Sequence, residues 1–366
     1  MKPGQSKVFW GLLSILVCCL LLPAAVKSQT LSGEIDHLIK TVITDQQGPG
    51  GVFMVARKGK VIYQKAFGKA NLELGVNLTP ENVFQLGSMT KQFTAVSVLL
   101  LAQQGKLNVN DPISKYITDY PAGNEITIHH LLTHTSGIKD FTKMKSLASI
   151  AQKEMTPKMM VDFFKDEPVD FAPGERFEYN NSGYALLGYL IEVVSGERYA
   201  DFIQHHIFDQ LGMSHSYYAS EKQVIKNRAY GYQKKEHVYV NKTAINFSVP
   251  FASGSLMSTP ADLLKWQNAL TQHKLLNAAE SLKAFSSYKL NNGTPFNYGY
   301  GWHIKELEGL PVRTHGGSIF GFKSMGVYVP GEDIYVVGLT NCDCHSPTSL
   351  TENIARLVIT HLIKNK

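Results

Sequence analysis

The chain of 366 residues is short of cysteine, with four in all. Cys18 and Cys19 fall in an apolar N-terminal run, so Cys342 and Cys344 alone serve the body of the protein. Two cysteines cannot frame a disulfide-dense scaffold, and an apolar core must hold the fold. Charge of one sign is also lacking. The formal +6 includes Lys2, Lys7 and Lys27 of the N-terminal segment, and without them 33 basic residues face 30 acidic ones, or +3. No basic cluster is present to hold phosphates, which argues against a nucleic-acid partner. Repeats, heptads, low-complexity tracts and long charge runs are absent too, which excludes solenoid, coiled coil and disorder. Metal-ligand spacing is missing as well. His130 and His134 lie four apart without the intervening Glu of a zinc-hydrolase helix, and Gly137 ends the segment close by. Cys342-Asp-Cys344-His345 has no second ligand pair and reads as a surface loop after a strand.

What is present is an ordinary globular composition, 44% hydrophobic and 10% aromatic, enough for two domains or one domain with a large insertion. Residues 1–28 have the lysines, the apolar run Val8–Leu22 and the small residues of a secretory leader, with cleavage expected after Ser28 or Ala25. An uncleaved membrane anchor is the alternative. Either way the working part is expected outside the cytoplasm, periplasmic or secreted, without a transmembrane domain once the leader is removed. Past the leader, the spacing predicts a helix over Leu31–Thr44, then a hairpin of "GVFMVARKG" and "VIYQKAFG". At the far end "FKSMGVYVP" and "DIYVVGLTN" read as paired strands, followed by a closing helix. Helical spacing fills the middle, at Ser88–Gln104, Ile128–Thr133, Met159–Phe164, Ser182–Val194 and Ala200–Phe208. The two ends are therefore expected to share an antiparallel sheet, an α/β domain of 29–83 plus 223–366, into which 84–222 inserts as a mostly helical domain.

Three stretches carry chemistry. Ser88 and Lys91 stand three apart at the mouth of an apolar helix, where i and i+3 share a face and burial would lower the amine toward a usable base. The same Ser-x-x-Lys pattern at Ser136–Lys139 is interrupted by Gly137, and that at Ser286–Lys289 lies in an irregular segment. Tyr179 and Asn181 are two apart before a helix; a phenol beside a lysine ammonium can have its pKa lowered and shuttle protons, and a carboxamide can hold both lysine and substrate. The bland alternative makes Tyr179 a core residue and Asn181 a helix cap. His315-Gly316-Gly317 breaks into a would-be strand, as a bulge, a turn, or a place where another backbone or a ligand comes close. On the functional reading substrate lies along this strand, the N–H groups of Ser88 and Ser318 form an oxyanion hole, and His315 faces the leaving group.

Taken in order, Ser88-Met-Thr-Lys91, Tyr179-Asn-Asn181 and His315-Gly-Gly317 resemble the three signature motifs of the serine β-lactamase and penicillin-recognising DD-peptidase superfamily, with the class C β-lactamase group the nearest likeness. "LLTHTSGI", "FAPGERFEYNNSGY" and "GSLMSTPADLLKW" are also typical of it, so the resemblance spans nearly all of the chain past the leader. It implies a central antiparallel sheet beside a mostly helical domain. It also implies a serine hydrolase without metal or organic cofactor, in which Ser88 is acylated, Lys91 and Tyr179 move its proton, and Asn181 positions Lys91 and substrate. Tyr-Asn-Asn in place of Ser-Asp-Asn, with no evident deacylating Glu, argues against class A enzymes. His315 replaces the lysine of the β-lactamases and would hold a substrate carboxylate only as an imidazolium, below about pH 6.5. The expected substrate is thus a D-Ala-D-Ala peptide, another D-peptide or an ester; a class C-type β-lactamase and a penicillin sensor that acylates and stalls are the alternatives. An α/β-hydrolase esterase is disfavoured, since no serine occupies a Gly-x-Ser-x-Gly elbow.

Overall fold

The computed structural model describes residue 1 and residues 30–364, so the expected leader lies outside the described residues except for its first. Among the described residues no helix is long and apolar enough to cross a membrane. The frame is a six-stranded antiparallel sheet. Its strands are β1 (Gly51–Arg57), β2 (Lys60–Phe67), β3 (His303–Leu307), β4 (Leu310–Ile319), β5 (Phe322–Val329) and β6 (Ile334–Thr340), in the order β3-β4-β5-β6-β1-β2. The two ends of the chain share it, through the pairing of β1 with β6 from Gly51↔Thr340 to Arg57↔Ile334. This is the central antiparallel sheet flanked by helices that the sequence leads one to expect.

Side chains alternate across a strand, and β1 divides its residues accordingly. Phe53 and Val55 pack with Ile35 and Ile39 of α1 (Leu31–Val42) and with a late helix over Pro347–Ile359. Val52, Met54 and Ala56 face the other way, into the larger core shared with the helices of the middle region. The centre of that core is α2 (Thr90–Gln103), which is buried from Thr90 to Leu101 on every side. Its apolar residues from Phe93 to Leu101 face all directions with no polar side turned to solvent, as in a helix that lies inside the protein. Phe93 stacks on Trp266 with ring centroids 4.1 Å apart, and Thr94 Oγ1 donates to Ala252 O at 2.6 Å. These contacts clamp α2 between α3 (Asn181–Ser195), a short helix over Phe251–Gly254, and α4 (Pro260–Thr271).

Several elements differ from expectation. The helix expected from Ser88 begins as a single 3₁₀ turn, Gly87–Met89, before α2. That expected over Ala200–Phe208 is helical over Tyr199–Ile203 and then widens into a π turn. β3 and α4 were not expected. β3 is an edge strand in which only Leu307 is buried, so it lacks an alternating pattern. α4 does carry a start signal: Thr259 caps it by accepting from Asp262 N, with Pro260 in its first turn. Finally, β4 runs unbroken through His315, Gly316 and Gly317, paired throughout with β5, so there is neither bulge nor turn at the glycines. Cys342 is fully buried and disulfide-linked to Cys344 rather than lying in a free surface loop.

Candidate active site

The 3₁₀ turn holds Ser88 half-buried at the foot of α2, a helix buried from Thr90 to Leu101. One turn on, Lys91 is fully buried, and its Nζ reaches three oxygens: Ser88 Oγ at 3.2 Å, Asn181 Oδ1 at 2.8 Å and Ser253 O at 2.9 Å. Burial pushes its pKa down to about 7, against an opposing pull from Asp140. A carbonyl and a carboxamide oxygen can only accept, so in the neutral amine the two N–H bonds go to Asn181 and Ser253. The lone pair is then left facing the Ser88 hydroxyl. That is the arrangement of a general base on a nucleophile.

Asn181 is fixed for this task. Its Nδ2 donates to Asp140 Oδ2 at 3.3 Å and Thr142 Oγ1 at 3.2 Å, which turns Oδ1 toward Lys91. Capping of α3 falls instead to Asn180, whose Oδ1 accepts from Gly183 N at 2.9 Å. The bland reading of the pair thus applies to the wrong asparagine. Tyr179, just ahead of the extended Asn180, lines the same cavity as Ser88 and sets its ring beneath Lys91 Nζ, 4.8 Å from the centroid. Its pKa moves opposite to expectation: burial raises it, and Ser88 only partly opposes this. Tyr179 is therefore a neutral phenol, one that passes a proton rather than storing a charge.

β4 closes the site from the other side. Gly87 has φ +54°, and a Cβ there would sit 2.8 Å from Ser318 N, so the turn bearing Ser88 and the strand bearing Ser318 approach backbone to backbone. At Gly317 a Cβ would come within 1.9 Å of Leu86 O, while Ser324 Oγ on β5 donates to that same oxygen at 2.7 Å. Of the readings open for the glycines, close approach of another backbone is the one observed. Gly317→Ala is accordingly expected to pry β4 from the Ser88 turn. A loss of about 1–3 kcal/mol in stability and a fall in kcat/KM of roughly tenfold or more should follow, read by thermal unfolding and ester kinetics. An unchanged Tm and rate would show that the gap is slack.

His315 requires a correction. It is buried, its Nδ1 lies 2.6 Å from Gly316 O and its Nε2 3.1 Å from Tyr298 OH. Since a carbonyl only accepts, Nδ1 carries the proton and Nε2 accepts from the phenol. Burial first, then His303 and Lys91, hold the pKa well below the usual histidine value. An imidazolium reading a carboxylate near pH 6.5 does not fit these surroundings. His315 shapes the wall of the cleft as a neutral ring.

Ser88, Lys91, Tyr179, Asn181, His315, Gly316, Gly317 and Ser318 thus converge on one cleft. Lys91 lies beneath it, and the others line two adjoining cavities. The remaining Ser-x-x-Lys pairs are elsewhere: Ser136 is buried, with Lys139 paired to Asp170, and Ser286, just past a helix end, donates its Oγ hydrogen back to Leu282 O. The sequence reading missed Asp140, Thr142, the carbonyl of Ser253, and His134. His134 has φ +59°, accepts from Asn180 N at 3.1 Å and packs on the Tyr179 ring with centroids 4.3 Å apart. His130 makes a capping box with Thr127, far from any metal-ligand role.

Residues 35–359 match the family model described as Beta-lactamase. Penicillin-binding protein 4* of Bacillus subtilis (strain 168) is 31% identical over 290 residues, 75% of this chain and 64% of that one, so this chain spans a little under two thirds of that relative's length. Among solved structures, the octameric penicillin-binding protein homologue from Pyrococcus abyssi superposes with a TM-score of 0.79 at 30% identity, over 91% of this chain and 77% of the other. D-amino acid amidase from Ochrobactrum anthropi SV3, complexed with L-phenylalanine amide, gives 0.76 at 25% identity, over 91% and 99%. With the family model matched over most of its length, the chain belongs to the serine β-lactamase and penicillin-recognising DD-peptidase superfamily.

Proposed function

We propose that this protein is an exported serine hydrolase that cleaves an amide or ester bond through an acyl-enzyme on Ser88, as a D-Ala-D-Ala carboxypeptidase, a D-peptidase or an esterase. The observation that carries this is the placement of Lys91 Nζ between Ser88 Oγ and two obligate acceptors, with the Tyr179 ring beneath the same nitrogen. Export is supported by the leader in the sequence. The kinship with a D-amino acid amidase and with penicillin-binding proteins supports the D-configured substrate.

In the first half-reaction Ser88 Oγ attacks the carbonyl carbon while its proton passes to Lys91 Nζ. The N–H groups of Ser88 and Ser318 receive the negative charge that forms on the carbonyl oxygen. The tetrahedral intermediate collapses as the leaving nitrogen or oxygen takes a proton from Tyr179 OH, which is replenished from Lys91. In the second half a water replaces the leaving group, gives its proton along the same path, and the Ser88–acyl bond breaks with the proton returned to Oγ. A raised phenol pKa suits this role, since Tyr179 never has to rest as an anion.

Tyr179→Phe is expected to lower kcat/KM by about 10²-fold with folding intact. Paired with Lys91→Ala it should fall well short of additive, because both act on one proton. A near-wild-type rate in Tyr179→Phe would return Tyr179 to a packing role. The reading as a whole is tested with a p-nitrophenyl ester, a D-Ala-D-Ala peptide and a cephalosporin on protein lacking residues 1–28. Steady turnover of the ester or the peptide supports it, and with a neutral His315 the cephalosporin should be the slowest. A stoichiometric burst that then stops would make the protein a sensor instead.

A further inference from the structure

Arginine in this protein ends on a carboxylate, with one exception. Arg57, Arg176, Arg198, Arg228 and Arg356 pair with Glu332, Glu178, Asp201, Glu221 and Glu308 in turn. Arg313 of β4 has no ion pair among the described residues. Its guanidinium lies instead against a ring, with Cζ 3.8 Å from the Phe285 centroid. Stacking uses the flat face of the group and leaves its edge of N–H donors free.

That edge borders a cavity of about 450 Å³. Its floor is Arg313 with its cross-strand partner Tyr328 of β5, and its sides are the end of α4 at Leu270 and Thr271 and the helix over Ala278–Ala284. No aspartate or glutamate lines it. The nearby Asp333 is taken by Tyr328, whose hydroxyl donates to its Oδ1 at 3.1 Å and accepts from Thr271 at 2.9 Å. His273 and Ser281, joined Nδ1 to Oγ at 3.0 Å, make a polar corner, and Leu282, Phe285 and Pro330 make the apolar wall. A half-buried charge without a counter-ion loses hydration that nothing in the protein returns, and an anion seated in this cavity would return it. None of these residues lines the two cavities at Ser88, and Arg313 stands five positions before Ser318, about 17 Å along the strand.

We propose that this cavity is a second ligand site, in which Arg313 holds the carboxylate of a small organic acid whose apolar body packs on Leu282, Phe285 and Pro330. A planar fork of donors matches a carboxylate in two parallel bonds, and one cation balances one negative charge. A bare phosphate would bring more charge than the site can balance and would leave the apolar wall unused. The cavity has the size and the mixture of apolar wall and few polar groups of a small-molecule site. The assignment does not depend on the serine-hydrolase reading, because it is read by binding alone.

The test is calorimetric titration of the unmodified protein with hydrocinnamate, with its neutral amide and with inorganic phosphate. Hydrocinnamate should bind once, with a Kd of about 1 mM or below, and the amide and phosphate at least roughly tenfold more weakly. Arg313→Gln should weaken hydrocinnamate by about tenfold or more, and Arg313→Lys, which keeps the charge but not the fork, by less. Lys323→Gln, in the Ser88 cavities, should leave the affinity unchanged. A diazirine analogue of hydrocinnamate should label residues 270–285, a readout that stands even if an Arg313 variant fails to fold. Absence of binding, equal affinity for the amide or for phosphate, loss of binding in Lys323→Gln, or labelling confined to the Ser88 cleft would each overturn the proposal.

Discussion

Replacement of Ser88 by alanine should lower ester and peptide hydrolysis by about 10⁴-fold or more while the protein melts as before. The size of the loss follows from the pathway, since without Oγ there is no acyl-enzyme, and what remains is water attacking a carbonyl held against backbone N–H groups. The unchanged melting follows from the site. Ser88 is half-buried in a turn whose packing is carried by Leu86, Met89 and Gly87, and its hydroxyl is bonded to the Lys91 amine rather than to the backbone that holds the turn. Residual activity within a factor of ten of the unmodified protein would mean that another group attacks.

Lys91→Met should cost about 10³-fold in kcat/KM and remove a limb of the pH profile. Methionine fills the buried space without a charge or a base, so the change isolates proton transfer from packing. Because burial sets Lys91 near 7, the working neutral amine is depleted below that pH and complete above it. The kcat/KM of the unmodified protein should therefore rise with pH through about 7 and then level off, reporting the free enzyme. In Lys91→Met the same limb should be flat. A rate that falls as pH rises through 7 would mean that the ammonium is the active form, and the direction of proton transfer proposed here would be reversed.

The legible part of this protein is the part set by local spacing. β1 and β2 announce themselves as short apolar and β-branched runs joined by a Lys58-Gly59 turn, and Ser88 with Lys91 share a helical face whatever the rest of the chain does. Tyr179 and Asn181 likewise point together because the chain between them is extended up to the helix start. What escapes is whatever depends on distant backbone or on burial. The carbonyl of Ser253 completes the Lys91 site from 162 residues away, and no side-chain pattern marks a carbonyl. Asp140 orients Asn181 from 41 residues away. The protonation of His315 and Tyr179 could not be read either, since a sequence shows a charged neighbour but not the loss of water around both groups. In each case desolvation, the largest influence, decided the direction.

The central claim is that Ser88 becomes covalently acylated, and the most direct measurement is mass-spectrometric peptide mapping after reaction with a fluorophosphonate or a slowly hydrolysed β-lactam. A single adduct on the peptide bearing Ser88, absent from Ser88→Ala, is the predicted result. An adduct on Ser136, Ser286 or Ser318, or undiminished labelling of Ser88→Ala, would contradict it.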